Sequence, residues 1–321
     1  MWQWLLRRLL IALPVLLGIT IVTFAMVRAI PGDPIRISLD PIQAGGPAGE
    51  QYIENRRLEL GLDQPLPVQY LGWLSAASRF DFGYSFKTGR PVSSVIGERI
   101  GPTVGLMGLA LAIGVLVAVV VGPTAAVRQY SIFDHVATLA SLTMISVPQF
   151  FIGLVAIYFL SITLHVLPTG GMSTAGAPAD PIDVLKHYLM PGTILGLSLA
   201  GPLVRYTRSS VLETLHMEYL TTARAKGIKE RSVLFVHSLP NALIPLITVV
   251  GLQVPLLVSG AVVVETIFQW PGMGQLLFSA FLDRDYPVLS AFVLLVAVMV
   301  LASRILTDLL YAVVDPRIRH A

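Results

Sequence analysis

A 321-residue chain that is 55% hydrophobic and only 13% charged has more apolar surface than a water-soluble domain can hide, so the composition is that of an integral membrane protein. Its net charge of +3 is too small for a nucleic-acid-binding surface, and the absence of cysteine excludes disulfide frameworks and thiolate metal sites.

The first apolar run, Leu9–Val27, follows Arg7 and Arg8. It is longer than the hydrophobic core of a secretory leader and no small-x-small cleavage site follows it, so it is expected to be retained as a helix. Residues 1–30 form an N-terminal cytoplasmic end and this first transmembrane helix, and residues 31–99 form an extracytoplasmic segment. The stretch from Arg28 to Arg99 is too polar to span and too long for a connector. Within it Val68, Leu71, Leu74 and Ala77 recur at helical spacing beside Tyr70 and Trp73. That helix could lie on the membrane surface, against another subunit or on this chain's own helices.

Residues 100–313 read as a five-helix transmembrane core, with runs at Pro102–Val127, Val136–Leu167, Tyr188–Val204, Ala242–Glu265 and Val288–Leu310. A helix needs roughly 20 apolar residues to cross a hydrocarbon layer of about 30 Å. The third run exceeds that length and is expected to tilt or to end before His165; the fourth is short, between Lys186 and Arg205. Prolines at 14, 148, 191, 202, 245 and 255 free backbone carbonyls and kink these helices. The stretches Pro168–His187 and Gln269–Pro287 read as loops, and residues 314–321 as a cytoplasmic tail. The sum is an all-α fold with about six transmembrane helices.

Alternating six spans from a cytoplasmic N-terminus puts Arg7, Arg8, Arg128, Arg205, Arg208, Arg224, Lys226, Lys229, Arg231, Arg304, Arg317 and Arg319 inside, against Lys186 and Arg284 in the short outer loops. This satisfies the positive-inside rule with both termini cytoplasmic.

A phosphate-binding loop ends in Gly-Lys-Ser/Thr. The lysines here, Lys87, Lys186, Lys226 and Lys229, all follow residues other than glycine, so this chain is not itself an ATPase of that type. Energy from ATP would have to arrive from a partner through the largest inner loop, near 213–240. There Glu213 to Ala225 favour a helix, Gly227 can end it in a left-handed conformation, and Leu234 to Leu239 return to the membrane. Such a lever would present Tyr219, Arg224 and Lys226 to a soluble partner. A solvated loop whose cations only enforce topology is the alternative reading.

The same segment resembles the hallmark of binding-protein-dependent ABC permeases, Glu-Ala-Ala, three residues, Gly, nine residues, Ile, one residue, Leu-Pro. Gly227 and Leu239-Pro240 fall in register; Thr221 and Thr222 replace Glu and Ala, Ala223 is kept, and His237 replaces Ile. Further pieces are similar to the dipeptide, oligopeptide and nickel permease group: Pro31-Gly32-Asp33-Pro34, Leu60-Gly61-Leu62-Asp63-Gln64-Pro65, Asp81-Phe82-Gly83 and Val147-Pro148-Gln149-Phe150-Phe151. They continue with Phe268-Gln269-Trp270-Pro271-Gly272-Met273-Gly274, Arg284-Asp285-Tyr286-Pro287 and Asp315-Pro316-Arg317.

The resemblance implies a type I ABC importer permease in the bacterial inner membrane. It implies a homologous second permease as heterodimer partner, two ATPase subunits that use ATP and Mg, an extracytoplasmic solute-binding protein, and no cofactor on this chain. The coupling helix is expected around Met217 to Ser232. Its ATPase-coupling residues are expected to be Glu218, Tyr219, Thr222, Ala223, Arg224, Ala225, Lys226 and Gly227, with Leu239 and Pro240. Di- or oligopeptides are the expected cargo, with nickel or glutathione as alternatives in the same group.

Ionisable residues in spans carry a functional expectation. Glu265 could face the translocation pathway, pin the Trp270-Pro271-Gly272 loop, or sit at the interface in contact with water; Asp308 is placed to pair with Arg304 four residues earlier. The histidines, His135, His165, His187, His216, His237 and His320, are scattered and define no metal site. A secondary transporter would show internal repeats or midplane carboxylates, and a membrane enzyme a polar catalytic set at one depth; neither pattern is evident.

Overall fold

The computed structural model describes residues 2–29, 45–59, 61–176, 178 and 180–314. The pieces Pro31–Pro34 and Asp315–Arg317, residue Leu60, the tail and the side chain of Asp308 lie outside the described residues. Every regular element among the described residues is helical, and β pairing is limited to one isolated bridge between Tyr84 and Pro91. A lipid-facing backbone must satisfy its own hydrogen bonds, and helices do so within one segment.

In chain order the helices are α1 (Trp2–Ala29), α2 (Gly46–Glu59), α3 (Leu66–Ala77), α4 (Val92–Val127), α5 (Ile132–Ser146), α6 (Gln149–Ala156), α7 (Pro181–Leu215), α8 (Glu218–Ala225), α9 (Leu239–Ile267), α10 (Met273–Leu282) and α11 (Tyr286–Val314). A π-helical turn, Ile157–Thr163, extends α6. A short turn, Glu230–Ser232, and a π-helical stretch, Val233–Ser238, lead into α9.

Four described stretches are long and apolar enough to cross a bilayer: Leu10–Ala29, Val92–Val127, Glu230–Val254 and Tyr286–Thr307. The third predicted span is not one tilted helix. It breaks at Val147-Pro148 into α5 and α6, which meet at a 99° bend. Pro148 has no N–H to donate and its ring pushes Val147 out of the helical region, to φ −84° and ψ 125°. Of the span prolines this is the one at a break; Pro14, Pro191 and Pro202 stay inside continuous helices. The fourth predicted span is the middle of the 35-residue α7, where Asp180 caps the N-terminus by accepting from the Ile182 N–H at 2.9 Å. This helix is not among the stretches apolar enough to cross, its middle being diluted by Gly192, Gly196 and Gly201 with Thr193 and Ser198. The stretch Gln269–Pro287, read as a loop, contains the ten-residue α10.

The chain divides into two compact units, Met1–Gly101 with Gln275–Leu301, and Pro102–Gly274 with Ala302–Ala321. In the first, α3 packs on α1: the Tyr70 and Thr20 hydroxyls are 2.8 Å apart, and Phe24 meets the Tyr70 and Trp73 rings at 5.5 and 5.9 Å. The periodic residues thus form a helix that sits on this chain's own α1 through its aromatic side, while Val68 and Leu71 remain exposed. The Asp285 carboxylate is buried and accepts from Ser85 Oγ at 2.5 Å and the Phe86 N–H at 3.1 Å, and Lys87 pairs with Asp283 at 2.5 Å. These bonds tie the turn after Asp81-Phe82-Gly83 to Arg284-Asp285-Tyr286.

In the second unit α7 is the central helix, and small residues make that possible. A side chain at Gly196 would meet Ile113 Cβ at 2.7 Å, and one at Gly122 would meet Thr207 Cβ at 2.8 Å, so α4 and α7 approach to backbone distance. Leu106, Leu195, Leu203, Val264, Phe268 and Trp270 fill the core between α4, α7 and α9.

Candidate functional site

The segment between α7 and α9 is two helices and not one. α7 stops at Leu215, the chain turns at His216 and becomes extended at Met217 (φ −70°, ψ 141°), and α8 begins at Glu218. Glu218 lies in the first turn of α8 and Arg224 in the last, the arrangement the helix dipole favours. After α8 the Gly227 N–H donates to Arg224 O at 2.9 Å and the Ile228 N–H to Ala223 O at 3.3 Å. This paired closure needs a left-handed residue, and Gly227 supplies it at φ +77°.

Three sets of contacts fix α8. Leu220 and Ala223 are buried with Val233 against Leu215 and Ile228. Arg224 forks onto Glu230, Nε to one oxygen at 3.1 Å and Nη2 to the other at 2.8 Å, and its Nη1 reaches Leu215 O at 3.4 Å. The hydrogen bond to Glu230 raises the Arg224 pKa further above its already high ordinary value. The third set uses the irregularity before α9. The His237 carbonyl there accepts from Asn241 Nδ2 at 2.9 Å and from the Tyr219 hydroxyl at 3.3 Å, and Asn241 also donates to Tyr219 Oη at 3.2 Å. Tyr219 therefore joins α8 directly to the first turn of α9.

The candidate residues separate by position. Glu218, Tyr219, Thr222, Arg224, Ala225, Lys226, Gly227 and Pro240 are exposed, whereas Ala223 is buried under α8 and Leu239 packs with Ala126, Val211 and Ala242. Ala223 and Leu239 thus pack inward and are not part of the exposed surface of this segment. Arg224 is exposed but committed to Glu230. Pro240 sits in the first turn of α9, where its missing N–H leaves no helical bond unmade. Sequence reasoning did not single out Glu230 or Asn241. Their partners lie six and 22 residues away, across a glycine turn and a π-helical turn, and no fixed helical spacing signals either pair.

Glu265 is fully buried, out of contact with water, and accepts from Thr103 Oγ1 and from the Gly274 N–H, each at 2.6 Å. Thr103 Oγ1 in turn accepts from the Met273 N–H at 2.7 Å, and Trp270 Nε1 donates to Pro102 O at 3.1 Å. Gly272 lies against the same carboxylate, where a side chain would collide with it. Of the positions open to Glu265 from sequence, this geometry is that of a pin for the loop 268–274. Arg208, counted in the sequence only as a topological cation, forks onto buried Asp134 at 2.6 and 2.7 Å and fastens α5 to α7.

Broken and continuous apolar helices, packed in the second unit around a glycine-lined central helix with a braced polar segment between two of them, define a polytopic membrane protein. The chain belongs to the family of binding-protein-dependent transport system inner membrane components, whose model matches residues 100–320; the N-terminal model for membrane components of these systems matches residues 1–107. It is 41% identical to the oligopeptide transport system permease protein AppB of Bacillus subtilis over the whole of both chains. It is 40% identical to the dipeptide transport system permease protein DppB of Escherichia coli K12, covering 100% of this chain and 99% of that one. A chain of the MetNI methionine ABC transporter in an inward-facing conformation superposes with a TM-score of 0.56 at 15% identity, covering 69% of this chain and 96% of that one. That likeness shows the fold, the type I importer permease fold.

Proposed function

We propose that this chain is one of two homologous permease subunits of an ABC importer for di- or oligopeptides, with both termini in the cytoplasm and α8 as the helix that docks on a partner ATPase. The observation that carries this reading is the bracing of α8: a short exposed helix closed by Gly227 and linked to α9 through Tyr219 can pass a displacement into the membrane without bending first. Relatives named for oligopeptide and dipeptide transport over their full lengths support the peptide cargo. Two ATPase subunits hydrolyse ATP with Mg, an extracytoplasmic binding protein delivers the solute, and this chain holds no cofactor of its own. A partner shifts a conformational equilibrium only by binding one state better than the other, so the exposed face of α8 has to fit one ATPase arrangement preferentially.

The test is reconstitution of the chain with its second permease, ATPases and binding protein in proteoliposomes. Peptide uptake and ATPase activity should both require ATP and the loaded binding protein. Nucleotide hydrolysis by the chain alone, or uptake driven by an ion gradient without ATP, would overturn the reading.

A further inference from the structure

The helix α3, Leu66–Ala77, is 12 residues long and uncharged, and none of its residues is buried. An apolar helix of that length is too short to span a bilayer and belongs either in a protein core or in the membrane interface. Its exposure in this chain leaves the second. We infer that α3 lies in the plane of the membrane, at the boundary of headgroups and acyl chains in the leaflet at the C-terminal end of α1, with Leu66, Val68 and Leu71 among the lipids.

The depth of α3 follows from α1. Leu10–Ala29 is long and apolar enough to cross the bilayer and only 11% of it is buried, so its sides already face lipid. On that surface α3 is seated through Tyr70 and Trp73, whose rings both meet Phe24. Phe24 precedes Ala29, the end of α1, by five residues, about 7.5 Å along the axis, within the roughly 5–10 Å at which interfacial helices sit. At that depth an exposed side chain meets acyl chains and not water. Leu66, Val68 and Leu71 are 59%, 53% and 62% exposed, and helical spacing turns Val68 and Leu71 away from the Tyr70 and Trp73 side. The helix therefore has an apolar side toward α1, another away from it, and no charged face to turn to water. Gln69, its one amide, is folded back on the chain, where Nε2 donates to Leu62 O at 3.0 Å and to Gln64 O at 2.6 Å. Charge resumes only past the two ends, at exposed Asp63 and Arg79, and tyrosine and tryptophan are the ring types that gather at this level of a bilayer. The seat of α3 also places the turn that follows: the Asp81 N–H donates to Ala76 O at 3.0 Å, and Asp285 holds the same turn through Ser85 and Phe86. Lipid contact at α3 thus sets the height of that turn above the membrane.

The experiment uses the full cysteine-free chain with one reporter at a time. Val68→Cys and Leu71→Cys, each labelled with a bimane fluorophore, are reconstituted in liposomes whose lipids carry a nitroxide either high on the acyl chain or near its methyl end. Both reporters should lose roughly half or more of their emission to the high nitroxide and clearly less to the methyl-end one, and iodide present on both sides of the membrane should barely quench them. Lys226→Cys, exposed on a polar segment, is the aqueous control and should respond to iodide and not to the lipids. The same quenching should persist once the second permease and the ATPases are assembled with the labelled chain. Iodide quenching equal to that of the control, or quenching strongest at the methyl end, would overturn the inference. So would loss of lipid quenching on assembly, which would give this face of α3 to a protein partner. None of these readouts depends on peptide transport, so failure here is separable from failure of the proposed function.

Discussion

At the scale of single residues the turn that closes α8 depends on Gly227. Nothing lies within 4 Å of where its side chain would be, yet its φ of +77° is one that branched residues resist. The penalty for Gly227→Val is therefore purely conformational, about 1–2 kcal/mol, enough to unwind the closing turn and release Ile228 from the Leu220 cluster. Gly227→Val should insert normally and lose most uptake and most coupled ATPase activity, whereas Gly227→Asn, which tolerates the left-handed region, should keep much of both. Equal activity in the two variants, measured in the reconstituted complex, would show that the turn conformation does not matter. Glu265 illustrates the opposite case. The Trp270-Pro271-Gly272 loop named in the sequence is its true neighbour, but burial decides its role, and burial depends on Thr103, 162 residues away.

At the scale of elements α8 and α9 are linked by the hydrogen bonds of Tyr219 and Asn241, and under the proposed function that link transmits movement. Tyr219→Phe removes the hydroxyl that touches His237 O and Asn241 while keeping the ring, a loss of about 0.5–1.5 kcal/mol per hydrogen bond. Uptake should fall several-fold with ATPase assembly unchanged, so that hydrolysis per peptide transported rises; a proportionate fall in both would place Tyr219 in docking and not in transmission. Much of this architecture is legible in the sequence, because apolar run length and the left-handed preference of glycine are local signals. The 99° break at Val147-Pro148 was less so, since proline is tolerated inside α7 at Pro191 and Pro202, and only tertiary packing separates a kink from a break. The split between α7 and α8 at His216-Met217 carries no proline or glycine to announce it. The centrality of α7 was obscured for a related reason: Gly192, Gly196 and Gly201 lower its hydropathy while permitting the close approach of its neighbours.

For the whole molecule, function turns on which side of the membrane α8 faces, and that is a question of parity. Between the segment holding Tyr84 and the lever holding Lys226 the sequence predicts three crossings: α4, the bent pair α5 and α6, and the middle of α7. Three crossings would put the two on opposite sides, and the positive-inside rule then expects Lys226 on the cytoplasmic one. A bend of 99° is also compatible with a pair that enters and leaves on the same side, which would leave two crossings and bring Lys226 to the side of Tyr84. The chain has no cysteine, so single substitutions report without background. Tyr84→Cys and Lys226→Cys both place the thiol at an exposed position. With a membrane-impermeant maleimide, Tyr84→Cys should label in spheroplasts and Lys226→Cys only in inside-out vesicles. Labelling of both from the same side would make the bent pair re-entrant, and labelling of Lys226→Cys from the outside would remove α8 from the reach of any cytoplasmic ATPase.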